Sequence, residues 1–130
     1  MATIKEKLYW KEWQRAFRKT EKYKMWRTKT VEKQNRDRKT MRAQIVEHYG
    51  GKCTCCGIKE IPFLTIDHIN NDGYKTRKAG NKRREYSLGY YKRIIREGYP
   101  ADLQILCFNC NLAKNHNGGI CPHSTFIKAN

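Results

Sequence analysis

The chain has no apolar run long enough to span a bilayer and no lipidation motif, which argues against a membrane-embedded or lipid-anchored protein. It is short of acid: 12 Asp and Glu stand against 28 Lys and Arg, a formal charge of +16. Such a field attracts polyanions, and nucleic acid is the simplest of them. Apolar residues make up only 38% of 130. One domain with a thin core is expected, and thin cores need a staple. The basic start interleaves Trp, Glu and Lys instead of forming a signal-peptide core, so a cytoplasmic protein is expected. In a reducing compartment the six cysteines serve a metal more readily than disulfides.

Proline and glycine are both absent from residues 1–48, which hold 15 Lys and Arg against 6 acids. Trp10, Trp13 and Phe17 fall at helical spacing, as do Met41, Ile45, His48 and Tyr49. This predicts a basic helical arm over 1–48, with helices near 4–26 and 36–48 and a stop at Gly50-Gly51. The second helix should pack on the cysteines. The tryptophans of the first are expected to pack on the core or on another copy of the chain, so a homodimer is an option. The remaining domain, 49–130, should carry a strand at Phe63–Ile66, an exposed loop over 70–86 and a helix from Ser87 to Glu97. A second strand is expected at Leu103–Leu106 and a short helix at Asn109–Asn115. The fold class is therefore α+β.

Cys53-Thr54-Cys55-Cys56 and Cys107-Phe108-Asn109-Cys110 each contain a Cys-x-x-Cys. Two such knuckles supply the four thiolates of a closed tetrahedral zinc site on Cys53, Cys56, Cys107 and Cys110. The alternative is a pair of redox dithiols, but no thioredoxin-like unit surrounds either. Cys55 and Cys121 are left over and read as small buried hydrophobes. Cys121 and His123 could ligate a second metal, but in the sequence the pair lacks partners.

The run FLTIDHINNDG ends a strand with Asp67 and His68, whose side chains should face opposite ways. A strand finishing in a polar turn is the simple reading. The zinc clamp offers another, because it draws Asp67, His68 and Asn111 together. Asp and Asn oxygens suit Mg²⁺ or Mn²⁺, and a neutral His can take a proton from an attacking water.

These pieces together, Cys53-x-x-Cys56-Gly57, Leu64-Thr-Ile-Asp67-His68-Ile69 and Leu103-Gln-Ile-Leu-Cys107-x-x-Cys110-Asn111-x-x-Lys114, resemble the HNH (ββα-metal) endonucleases. The likeness is to the zinc-stapled branch that includes recombination endonuclease VII and small phage proteins, and it covers about half the chain. It implies a metal-dependent DNA endonuclease, in the host cytoplasm if phage-encoded, that leaves 3′-hydroxyl and 5′-phosphate ends. His68 takes the place of the general base, and Asp67 and Asn111 those of the ligands of the catalytic cation. Asp102 stands where many members have an Asn that orients the loop, a departure because a carboxylate cannot donate. Asn115, one helical turn beyond Asn111, is a candidate third ligand. Lys114, His116, Lys82, Arg83 and Arg84 are candidate contacts to double-stranded DNA. Two rival readings are a non-catalytic zinc module that binds nucleic acid and a structure-selective resolvase of branched DNA.

Overall fold

The computed structural model describes residues 1–73, 75 and 87–124. The predicted loop contacts Lys82, Arg83 and Arg84 lie outside the described residues. The chain forms two compact units, Met1–Asp37 and Arg38–Asn130. No helix among the described residues is long and apolar enough to cross a membrane.

In the first unit, α1 (Ile4–Phe17) opens with a capping box in which Thr3 and Glu6 satisfy each other's backbone N–H groups. Helix α2 (Glu21–His48) begins after a break at residues 18–20. No proline or glycine marks that break, and the stretch between the two expected helices is helical too, so the helix expected near 4–26 is split and its second half runs on without a stop to His48. Thr20 makes the break instead. Its hydroxyl donates to the Phe17 carbonyl at 2.7 Å and accepts from the Tyr23 N–H at 3.2 Å, which ends one helix and caps the next. No residue of α1 is buried. The aromatics pack on one another: Trp13 stacks on Phe17 at 5.1 Å, Phe17 meets Tyr23 at 5.5 Å, and Tyr23 meets Trp26 at 5.6 Å.

The second unit takes in the last turns of α2, where Ile45 and Val46 are buried. The packing boundary therefore falls at residue 37, not at the end of the helical arm. Arg42 reaches the carbonyls of Ile61 and Leu64, tying α2 to the turn Ile61–Phe63 that leads into β1 (Leu64–His68). The strand is longer than its apolar run, because Asp67 and His68 pair within it. Helix α3 (Leu88–Arg96) is capped by Ser87 and buries Tyr90, Tyr91 and Ile94. Strand β2 (Leu103–Cys107) runs antiparallel to β1, with Leu64 opposite Cys107 and Asp67 opposite Gln104. Helix α4 (Phe108–His116) follows at once and packs on both strands. The unit is thus α+β, with a two-stranded antiparallel sheet.

A two-stranded sheet does not stand alone in water. Ile45, Leu64, Ile94 and Ile105 are each at most 1% exposed, and burying such a side chain contributes about 1.5–3 kcal/mol. Cys53, Cys107 and Cys110 belong to the same core.

Candidate functional site

Two knuckles meet at the head of α4. In the first, the Cys56 N–H donates to Cys53 Sγ at 3.5 Å, and Gly57, at φ +80°, turns the chain away. That left-handed turn favours glycine. In the second, the Cys110 N–H donates to Cys107 Sγ at 3.4 Å, so Cys107 is also the N-cap of α4. Thr54 joins the first knuckle to β2, with its N–H and hydroxyl 2.8 and 2.9 Å from the Ile105 carbonyl.

All six cysteines are free of disulfides. The sulfurs of Cys53, Cys56, Cys107 and Cys110 lie within 4.8 Å of one another. Cys56 Sγ and Cys107 Sγ are 3.7 Å apart, close to the ~3.8 Å edge of a tetrahedron with metal–sulfur bonds of about 2.3 Å. This cysteine cluster can hold a metal ion. Burial pushes the Cys53 thiol up, but the backbone N–H groups of Cys56, Cys107 and Cys55 outweigh it and bring the thiol down to about 7. Burial, and then the thiol of Cys121, push Cys55 up to about 11. Cys110 is held well above the usual thiol range by burial and by the sulfurs of Cys107, Cys56, Cys121 and Cys53 around it.

Beside the cluster, β1 and α4 bound a polar cavity of about 120 Å³ lined by Asp67, His68, Asn71, Gly73, Asn111 and Asn115. Four of the sequence-predicted site residues therefore share one cavity. Asn115 Nδ2 donates to Asn111 Oδ1 at 3.3 Å, so Asn115 orients the Asn111 amide across one helical turn. Asp102 does not line this cavity. Its main-chain carbonyl accepts the Ile69 N–H at 2.8 Å, an interaction beside His68 that does not depend on a side-chain donor.

Lys114 is not a surface lysine. Its side chain is 5% exposed, and its Nζ lies 2.5 Å from Asp67 Oδ2 and 2.7 Å from the His68 carbonyl. The expected phosphate contact is thus replaced by a buried ion pair. Gln104 Nε2 donates to the same Asp67 oxygen at 2.8 Å. Asp67 Oδ2 is therefore committed, and Oδ1 is the oxygen left to the cavity. His116 is exposed on the far end of α4 and does not line the cavity.

Sequence reasoning missed Asn71, Gly73 and Gln104. Asn71 adopts φ +55° and its N–H returns to the His68 carbonyl at 3.0 Å, closing the turn that the Asn-Asn-Asp-Gly run signalled. Gly73 packs its backbone on the imidazole: a Cβ there would lie 2.7 Å from His68 Nδ1. Gly73→Ala is therefore expected to push the ring out of place. In the hydrolysis proposed below, where the ring takes the proton of water, the rate should fall about a hundredfold, as small misplacements do, with circular dichroism unchanged. A wild-type rate in Gly73→Ala would show that the ring position is not critical.

Comparison with family models, with curated proteins and with solved structures returned no match.

Proposed function

We propose that the chain is a metal-dependent DNA endonuclease of the HNH type, its cysteine cluster holding structural zinc. The observation that carries this reading is the shared cavity of Asp67, His68, Asn111 and Asn115, set beside a thiolate cluster in a chain of charge +16. The donor set fits a hard cation such as Mg²⁺ or Mn²⁺: Asp67 Oδ1 and the Asn111 carbonyl oxygen would hold it. When bound, such a cation neutralises charge on the scissile phosphate and on the leaving oxygen. The His68 imidazole takes a proton from water as the water oxygen bonds to phosphorus. The bond to the 3′ oxygen breaks, and that oxygen takes a proton from solvent. Lys114 keeps Asp67 compensated before any cation arrives, so affinity for the cation is weakened and millimolar metal should be needed.

Phosphate binding falls to basic residues elsewhere. A second cavity, of about 360 Å³, is lined by Arg38, Lys39, Arg42, Tyr91 and Phe108, a basic cleft with aromatic walls that suits a nucleic-acid backbone. Affinity for duplex DNA should then fall on the order of a thousandfold between about 50 and 200 mM salt, the loss given by about six phosphate contacts. Salt-independent binding would count against phosphate-driven attachment.

The deciding experiment incubates the protein with supercoiled, linear and branched DNA under Mg²⁺, Mn²⁺ or EDTA. Cleavage that requires the divalent cation supports the reading, and cleavage confined to junctions makes the protein a resolvase. Binding without cleavage under every metal leaves a nucleic-acid-binding zinc module in its place.

A further inference from the structure

The cysteine cluster is larger than one tetrahedral site needs. Cys55, Cys110, Cys121 and His123 form a second quartet whose ligand atoms also lie within 4.8 Å of one another. The partners that Cys121 and His123 lack in the sequence are supplied by the fold. Cys55 comes from inside the first knuckle. Cys121 and His123 arrive because Gly118 and Gly119, at φ +63° and +92°, reverse the chain after α4. The Gly119 N–H is fixed to the Lys114 carbonyl at 2.9 Å. Beyond the turn, Ser124 secures the segment by donating both its N–H and its hydroxyl to the Cys121 carbonyl.

The two quartets share one residue. Cys110 is fully buried, and His123 Nδ1 lies 3.3 Å from its sulfur, near the ~3.6 Å expected when a thiolate and an imidazole bind one zinc. The geometry points to a two-metal thiolate cluster. One ion sits on Cys53, Cys56, Cys107 and Cys110, the second on Cys55, Cys110, Cys121 and His123, with the Cys110 sulfur bridging them. A role for Cys55 and Cys121 as small hydrophobes accounts for the burial of Cys121 and the partial burial of Cys55. It does not account for an exposed imidazole drawn against a buried sulfur.

The electrostatics are favourable. Six thiolates against two dications leave an excess of two negative charges in a strongly basic chain. Cys110 is the third residue of α4, so its bridging sulfur lies in the first turn, at the positive end of the helix dipole. Each ion bound releases the protons of its thiols to solvent. The first ion joins the knuckles. The second ties the segment after α4 to the first knuckle. Cys55 and Cys121 wall a cavity of about 430 Å³ that also contains Gln104 and Lys114, the two partners of Asp67. This inference rests on the cysteine cluster alone and stands whether or not the chain cuts DNA.

The test is native mass spectrometry of the full chain purified with zinc and dialysed against metal-free buffer. Two zinc ions per wild-type chain are expected, and one in Cys121→Ser and in His123→Ala, with far-UV circular dichroism retained. Because His123 is exposed, its replacement tests the second site without removing a core side chain. Cadmium-113 substitution of the wild type gives an independent readout: two resonances, both coupled to the β-protons of Cys110. One zinc in the wild type, or two zinc ions retained in both variants, would overturn the proposal. So would coupling of Cys110 to a single cadmium.

Discussion

His68→Ala is expected to lower DNA cleavage by about a hundred- to ten-thousand-fold, the usual contribution of a positioned base, while DNA affinity stays near wild type. The asymmetry follows from the division of labour proposed above. The imidazole faces the small cavity with Asp67 and Asn111, whereas the charge that attracts phosphates is spread over 28 Lys and Arg. Asp67→Ala and Asn111→Ala should also lose activity, but for another reason: each removes an oxygen proposed to bind the cation. Raised Mg²⁺ or Mn²⁺ should therefore restore part of the activity of Asn111→Ala and none of that of His68→Ala, because more metal does not replace a base. Asp67→Ala is the less clean variant. It leaves the buried Lys114 ammonium without its counter-charge, and breaking such a pair costs about 3–5 kcal/mol. A plasmid-cleavage series across metal concentration, with thermal melts of the same samples, separates the two effects. Wild-type cutting by His68→Ala would remove the base assignment.

Cys107→Ser, or exhaustive chelation of the wild type, is expected to unfold the second unit. Cys107 acts three times over. It is one of the four cysteines that can hold a metal ion, the N-cap of α4 and the last residue of β2. Serine can keep the cap, since its hydroxyl accepts from a backbone N–H, but it is a poor ligand for zinc. Apparent binding free energies of structural zinc in small domains are about 10–16 kcal/mol, as large as the whole stability of an ordinary domain. Losing the zinc proposed there would therefore remove free energy on the scale of the unit's whole stability. The measurement is zinc content beside a thermal melt for Cys107→Ser and for the EDTA-treated protein. A cooperative melt at the wild-type temperature in a zinc-free sample would show that the core alone suffices.

The parts of the fold that the sequence made legible are those where local chemistry and tertiary packing agree. Ser87 caps a helix, the apolar runs before Asp67 and before Cys107 pair as strands, and the Cys-x-x-Cys pairs come together. The readings that failed depended on partners distant in sequence. Lys114 looks like a solvated helix charge until the register places it under Asp67, 47 residues away. Gln104 is an unremarkable strand residue until it stands opposite that same carboxylate. The helical break at Thr20 was missed because a hydroxyl cap is a weaker signal than a proline. His123 could not be linked to Cys55 from the sequence, because their proximity needs both the clamp and the Gly118-Gly119 reversal.

Cys107 has one more consequence, in how the two strands find each other. A pair of five-residue strands joined by a long connection carries little information about alignment, and neighbouring alignments compete. Here the cysteine cluster offers an anchor at one end, because the residue opposite Leu64 is Cys107, one of the four cysteines that can hold a metal ion. Sliding β2 by one position would carry that sulfur about 3.3 Å along the strand, farther than a metal–sulfur bond can follow. The same slip would separate Asp67 from Gln104 and turn the side chains of the moved strand to the opposite face. An ion held there, as proposed, would thus act as proofreader for a sheet too small to check its own pairing, and a chain that folds before it is loaded would be open to misalignment by one residue.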